Sequence, residues 1–127
     1  MMFPHACGAE FAEAISKGAD PQKVIPNDFV VVRGGGGALD PPGTTFSGAT
    51  APTVEAAAAA VPHGQIRVAT VGAIRANGGT VEWVPELSRH GTPNRQHVDV
   101  TEIGQTGFSG LQPNPVPRQQ RIDGDKN

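Results

Sequence analysis

The sequence predicts a small α+β domain, a single compact unit with a mostly antiparallel sheet of four to six short strands and two or three short helices. Residues 29–32 (Phe-Val-Val-Val) form an unbroken apolar run, which is typical of a strand buried on both faces. Residues 65–70 and 97–103 alternate apolar and polar side chains, as half-buried strands do. Short segments with helical spacing lie between these strands, and a chain of 127 residues is long enough for one domain.

The first half of the chain contains two predicted helices. At residues 8–17, apolar side chains recur at i, i+3 and i+4 spacing, and Gly18 is a suitable helix end. The second helix, at 53–61, begins at Thr53, whose hydroxyl can cap the first turn, and it ends before a proline. Between the helices lie the apolar strand and residues 44–48, which are either a short strand or an extended loop.

The second half alternates short strands with one more helix. Thr70 follows the strand at 65–70 and is the predicted N-cap of a helix at 71–77, which ends in Asn-Gly-Gly. Further strands are predicted at 80–84 and 97–103, and a polar loop at 85–95 joins them. We expect one core to form around residues 29–32 from the inward-facing side chains, which are Val68, Ile74, Val81, Val98 and Val100.

The chain divides into three predicted segments. Residues 1–25 form an N-terminal helical segment, residues 26–112 form the core, and residues 113–127 form a proline-rich tail. Prolines at every second position from 113 to 117 exclude a helix and the interior of a sheet. We therefore expect a mobile tail that is dispensable from about residue 119.

Composition excludes several classes of protein. No apolar stretch approaches 18 residues, so no membrane-spanning helix is expected, and the N-terminus lacks the basic and apolar regions of a signal peptide. The expected location is the cytoplasm. The net charge of −2 makes nucleic-acid binding unlikely without excluding a small local patch. Cys7 is the only cysteine, and the dispersed histidines have no zinc-binding spacing, so neither a disulfide nor a metal site is expected.

The first candidate site is the end of the apolar strand, where Arg33 is followed by four glycines. A guanidinium beside backbone amides without Cβ atoms is suited to bind phosphate or carboxylate, and Gly34 and Gly35 permit a close approach. The alternative is a flexible turn after a solvated arginine. Neither a P-loop lysine nor the dinucleotide-binding fingerprint is present.

Other candidate groups lie further along the chain. Thr45 and Ser47 can bind a ribose or a phosphate, or they can satisfy the backbone of a turn. Glu82 faces away from the predicted core, towards either solvent or a cleft. On the last strand, His97, Asp99 and Thr101 are predicted to face outward, and a histidine two residues from a carboxylate can act as a general acid or base.

The order of these segments resembles a family of toxins. A strand ends in Arg-Gly-Gly, and Gly-Thr-Thr-Phe-Ser follows it. Next come Gly-Ala-Ile-Arg-Ala-Asn-Gly-Gly, a strand that leads into a proline, a loop and a His-Val-Asp-Val strand. Over about residues 28–102 the chain resembles the small effectors of bacterial type VI secretion that have an ADP-ribosyltransferase-like fold.

The resemblance implies roles for particular residues. Arg33 matches the arginine that holds NAD, with Gly34, Gly35 and Thr45 beside it. Ser47 matches the residue beneath the nicotinamide ribose, and Glu82 is the nearest candidate for the glutamate that assists transfer. The chain has no Glu-x-Glu or Gln-x-Glu pair and no tyrosine, so Trp83 or Phe46 would have to stack against the nicotinamide.

Three functions follow from these interpretations. The first is a toxin that uses NAD as its substrate to ADP-ribosylate a macromolecular acceptor in the cytoplasm of a competing or host cell, with a possible cognate immunity protein. The second is a ribonuclease toxin in which His97 and His63 act as acid and base and Arg67 holds the phosphate. The third is a non-enzymatic accessory or binding domain.

Overall fold

The computed structural model describes residues 4–35, 43–87, 91, 93–101 and 108–122 of the chain. It is a small α+β domain with a six-stranded antiparallel sheet, which confirms the predicted class. The elements are α1 (Pro4–Ser16), β1 (Val30–Gly34), β2 (Thr45–Ala51), α2 (Val54–Ala58), β3 (Gln65–Thr70), α3 (Val71–Ala76), β4 (Thr80–Trp83), β5 (Glu86–Leu87), β6 (Pro93–Asn94), β7 (His97–Thr101), β8 (Gln112–Pro113) and a 3-10 turn at Arg118–Gln120.

The strand order in the sheet is β4-β7-β2-β1-β3-β8, and β5 and β6 form a separate two-stranded hairpin. This hairpin lies in the stretch 85–95, which was predicted to be a loop only. Residues 44–48, predicted as either strand or loop, belong largely to β2, which pairs with both β1 and β7. Within the described residues, no helix has the length and apolar character that crossing a membrane requires.

β1 lies in the interior of the sheet, and its two faces contribute to different cores. Val31 and Val32 are both fully buried, which confirms the strand predicted to be buried on both sides. Val31 packs with Phe11, Ile25 and Ile74 beneath α1 and α3, whereas Val32 packs against α2 on the other face. The domain therefore has two apolar layers separated by the sheet.

The single core predicted from the sequence is wrong in one respect. Val68 is the cross-strand partner of Val32, so it lies on the α2 face with Ile66 rather than on the Val31 face. The other predicted core residues do share the Val31 layer; they are Ile74, Val81, Val98 and Val100. The difference arises because β3 is alternating and its inward side faces the second layer.

Local capping fixes the starts of the two short helices. The Thr53 hydroxyl accepts a hydrogen bond from Ala56 N at 3.2 Å, and the Thr70 hydroxyl accepts one from Ala73 N at 3.0 Å. Both N-caps are as predicted. The last turn of α3 carries Arg75, which donates to the carbonyl oxygens of Gln22 and Ile25. These bonds fix the loop between α1 and β1 against α3. Burial lowers the pKa of Arg75 from its ordinary value.

The prediction of a mobile tail is wrong for residues 113–122. β8 pairs with β3, and the chain then crosses the end of α2 with Asn114 and Val116 buried. The Arg121 guanidinium donates to Val116 O at 2.8 Å and to Pro62 O at 3.2 Å, and Ile122 N donates to Ala59 O at 2.8 Å. The prolines exclude a helix, but their rigid extended backbone suits a strap. Residues 123–127 lie outside the described part of the chain.

The N-terminal segment predicted at 1–25 contributes to the main core. Phe11 of α1 packs against Phe29 and Trp83, with ring centroids 6.0 and 5.7 Å apart, respectively. Ile25 is fully buried in the same layer. The helix begins at Pro4, four residues earlier than predicted, and it ends near the predicted glycine stop.

Candidate functional site

Arg33 lies on one face of the sheet, whereas Ser47 and Glu82 lie on the other. Arg33 contacts Phe46, which packs against the Val31 layer. Ser47 is the next residue along β2, and Glu82 lies between Val81 and Trp83, which both belong to that same layer. Because successive side chains of a strand point to opposite faces, Ser47 and Glu82 point away from Arg33. The expected cleft, bordered by Arg33, Ser47 and Glu82 together, is not formed.

The Arg33 side chain lies against an aromatic ring. Its guanidinium carbon is 4.4 Å from the centroid of Phe46, within the range of a cation–π interaction. Phe108 meets Phe46 edge to face, with the centroids 5.6 Å apart and the planes at 63°. Both rings are only partly buried. The side chain of Arg33 is therefore oriented by its neighbour rather than projecting from the strand end.

A second arginine stands beside the first. Arg67 is the cross-strand partner of Arg33 in the β1–β3 pair, so the two side chains leave the same face of the sheet. The Arg67 guanidinium donates to Ser109 O at 3.3 Å. We call the group made of Arg33, Arg67, Phe46, Phe108 and Ser109 the arginine–aromatic patch. It combines two cations with two partly exposed rings, a combination suited to an anionic ligand that carries a planar group.

Glycine is needed at positions 34 and 35, directly after Arg33, for different structural reasons. Gly34 faces the opposite side, where a Cβ would collide with the imidazole of His63 and with Val61. Gly35 has a φ of +104°, a conformation that favours glycine. The missing Cβ of Gly34 therefore lets the His63 side chain pack against the backbone. This contact lies on the face opposite the one that carries Arg33. The last two glycines of the run lie outside the described residues.

We expect Gly34→Ala to lower the free energy of unfolding by about 1–3 kcal/mol, because the new methyl group overpacks the contact with His63 and Val61. Urea denaturation of the variant beside the wild type measures the change. Gly43→Ala provides a contrast, because its Cβ would meet nothing within 4 Å and its cost arises from a φ of +87° alone. Loss of stability in Gly43→Ala without any in Gly34→Ala would contradict the packing explanation.

The opposite face carries a row of polar side chains across three strands. Asp99 on β7 is the cross-strand partner of both Glu82 and Ser47. In the next row, the Thr45 and Thr101 hydroxyls are 2.6 Å apart. The side chains of Ser47, Glu82 and Asp99 make no hydrogen bond or ion pair with any described residue. Glu82 and Asp99 are directly opposed carboxylates, an arrangement that costs stability, and the row forms no catalytic contact among the described residues.

His97 is buried, contrary to the prediction that it faces outward. It is 6% exposed, and its Nδ1 is 2.7 Å from Val84 O. A carbonyl oxygen only accepts, so Nδ1 carries the proton. Nε2 is 3.3 Å from Glu86 Oε1, which satisfies the distance for an ion pair, yet its geometry forms no hydrogen bond. The ring therefore contacts the segment that leads from β4 into β5 through Val84 and Glu86.

The structure does not join His97 with the other histidine proposed for a ribonuclease. His63 lies against Gly34 of β1, and β2 separates β1 from the β7 strand that carries His97. The two imidazoles therefore have no common site among the described residues. Asp99 does share a face with His97, but the hydrogen bond of His97 is directed to Val84 O instead.

Two residues of the patch had no signal in the sequence. Phe108 and Ser109 follow the last predicted strand, and their places beside Phe46 and Arg67 depend on long-range packing. No protein-family model, curated protein or solved structure matches the chain. The geometry of the described residues therefore carries the functional argument.

Proposed function

We propose that this protein is a toxin-type effector domain that takes NAD as its substrate and transfers ADP-ribose to a macromolecular acceptor. The observation that supports it is the position of Arg33 over the Phe46 ring, with a second arginine at its side. NAD carries a pyrophosphate and two planar bases, so it needs both cations and apolar rings. The patch offers both on one face of the sheet.

In this proposal, Arg33 binds the pyrophosphate through its planar fork of N–H donors. The partly exposed rings of Phe46 and Phe108 give the nicotinamide or the adenine an apolar surface, the role considered for Phe46 in the absence of tyrosine. Ser47 and Glu82 face the other way and do not contact the same part of the ligand as Arg33. The expected roles of these two residues in transfer are therefore not part of the proposal.

The biological setting belongs to the proposal as well. An effector of this kind acts in the cytoplasm of a competing or host cell, and we include a cognate immunity protein in the producer as a possible partner in this proposal. The acidic row of Ser47, Glu82 and Asp99 is on the face opposite the patch. The proposed ligand site and this acidic row are therefore separate, and a macromolecule can contact one without covering the other.

NAD binding to the purified protein tests the proposal directly. We expect calorimetry to detect NAD binding that Arg33→Ala weakens about tenfold or more, since it removes charge-assisted hydrogen bonds. Arg33→Lys keeps the charge but loses the planar fork, so it should impair binding almost as strongly. Arg95→Ala is the matched control, because Arg95 is an exposed arginine in the β6–β7 connection. Equal binding by wild type and Arg33→Ala would contradict the proposal.

Release of nicotinamide separates an enzyme from a binding domain. We expect the wild type to release nicotinamide and to deplete NAD when it is expressed in cells, and we expect Arg33→Ala to do neither. NAD binding without nicotinamide release would favour the third function, a non-enzymatic accessory or binding domain. Intact NAD with degraded RNA in cells expressing the wild type would favour the ribonuclease.

A further inference from the structure

We infer that an apolar cavity beside α1 binds a small ligand that carries one ammonium group on an apolar body, such as an arylalkylamine. The cavity has a volume of about 440 Å³, which lies within the range of pockets that hold small molecules. It lies between α1, the loop that leads into β1 and the turn that follows β2. Its apolar walls are Phe11, Ala14, Val24, Pro26, Phe29 and Pro52.

The walls of the cavity include apolar side chains that the core covers only in part. Phe11 is 7% exposed and packs against the rings of Phe29 and Trp83. Val24 and Phe29 are half-buried at the edge of the Val31 layer, and Ala14 lines the cavity with no more than a methyl group. Water is displaced favourably from such walls by an apolar group, so the cavity selects a ligand with an apolar body.

Hydrogen bonds fix the loop that forms one wall of the cavity. Arg75 of α3 donates to Ile25 O at 2.7 Å and to Asn27 Oδ1 at 2.6 Å. These two acceptors flank Pro26, and Phe29 N donates to Pro26 O at 3.2 Å. A ligand therefore enters a wall that is already ordered, and it avoids the entropic cost of ordering a loop on binding.

The charge of the cavity comes from a carboxylate. Glu10 is the only ionisable side chain among the described residues that line the cavity, and it is exposed, so it lies at the mouth. It makes no hydrogen bond or ion pair with any described residue, whereas Glu13 on the same helix pairs with Lys17 Nζ at 3.3 Å. A carboxylate at the mouth attracts a cation and repels an anion. The ligand is therefore an ammonium compound rather than an apolar acid.

The cavity is separate from the proposed NAD site. Phe29 precedes β1, whereas Arg33 is near the end of that strand, roughly 13 Å further along an extended chain. Ligands of the two sites therefore bind without sharing a side chain.

Amide NMR titrations of the isotope-labelled full chain with three probes test the assignment. We expect phenethylamine to shift the amide signals of Ala14, Val24 and Phe29. It should bind about fivefold more tightly than phenethyl alcohol, which has the same apolar body without the charge; this is the upper value for an ion pair that stays open to water. Methylamine, which has the charge without the apolar body, should cause no shifts at the same concentrations.

A matched pair of variants assigns the preference to one carboxylate. Glu10→Gln removes the charge and keeps the size of the side chain, so it should reduce the preference for phenethylamine over phenethyl alcohol to about twofold or less. Glu13→Gln is the control, because Glu13 is 71% exposed on the same helix and does not line the cavity, and it should retain the preference. Added sodium chloride should weaken the binding of phenethylamine and leave that of phenethyl alcohol unchanged.

Several outcomes would overturn the assignment. They are the absence of shifts with phenethylamine, equal binding of the amine and the alcohol by the wild type, and a preference that Glu10→Gln retains as fully as Glu13→Gln. Methylamine binding as tight as that of phenethylamine would indicate a surface ion pair without a cavity. Shifts confined to the arginine–aromatic patch would place the ligand at the other site. None of these results depends on NAD, so the cavity and the proposed function are decided separately.

Discussion

Replacing Asn114 with alanine is expected to lower the free energy of unfolding by about 2–4 kcal/mol. The side-chain Nδ2 donates to the carbonyl oxygens of Ala58, Val61 and His63 at 3.2, 3.3 and 3.0 Å, and Oδ1 accepts from Val116 N at 2.9 Å. Alanine removes these bonds, but Ala58 O keeps the hydrogen bond that it accepts from Val61 N. The expected loss therefore corresponds to one or two buried backbone groups left without a partner, at about 1–3 kcal/mol each. Urea denaturation measures the change.

Gln119→Ala is the control for this experiment, because Gln119 is exposed in the 3-10 turn of the same strap. It should change the free energy of unfolding by less than about 0.5 kcal/mol.

Deleting residues 119–127 should destabilise the domain measurably, since it removes the hydrogen bonds of Arg121 and Ile122. An unchanged melting temperature for both Asn114→Ala and the deletion would contradict the packed strap and restore the mobile tail.

Val31→Ala is expected to cost about 2–4 kcal/mol of stability, in the range of large-to-small substitutions in a close-packed core. Val31 is fully buried on an interior strand, where it contributes to the layer beneath α1 and α3. The backbone around it is paired with Thr50 and Ala69 on neighbouring strands, so collapse of the surroundings into the cavity is restricted. Thermal or urea denaturation provides the measurement.

Leu87→Ala is a suitable control, because Leu87 is 66% exposed in the β5–β6 hairpin. Removing its side chain deletes more apolar atoms than Val31→Ala and yet should alter stability by less than about 0.5 kcal/mol. A smaller loss for Val31→Ala than for Leu87→Ala would mean that β1 is peripheral and that the domain is organised around another strand.

Local patterns in the sequence predicted most of the secondary structure. The strand at Gln65–Thr70 and the N-caps of α2 and α3 agree with the structure to the residue. Such features depend on alternation and on a hydroxyl beside the first turn, and both are visible within a few residues. The class of a small, mostly antiparallel α+β domain follows from the same patterns.

The candidate site was predicted less well, because it depends on which face of the sheet each side chain occupies. Arg33, Ser47 and Glu82 come from three strands, and a sequence pattern gives the alternation within a strand but not its register against another. Phe46, and not Ser47, lies on the same face of the sheet as Arg33. Because neighbouring residues of a strand point to opposite faces, this difference of one residue decides whether Ser47 shares a site with Arg33 or lies on the other face. Arg67 was assigned only to the ribonuclease, although pairing with β1 places it beside Arg33.

The sequence by itself determined the positions of three helices and of the strands β1, β3, β4 and β7, since propensity, alternation and capping act between near neighbours. Tertiary structure alone decided that the proline-rich tail packs as a strap, because its buried amide finds carbonyl partners more than 50 residues away in the chain. It also decided that His97 is buried and that Arg33 and Arg67 are cross-strand partners on the face where Arg33 contacts Phe46. These features result from strand register and long-range hydrogen bonds, which no local pattern encodes.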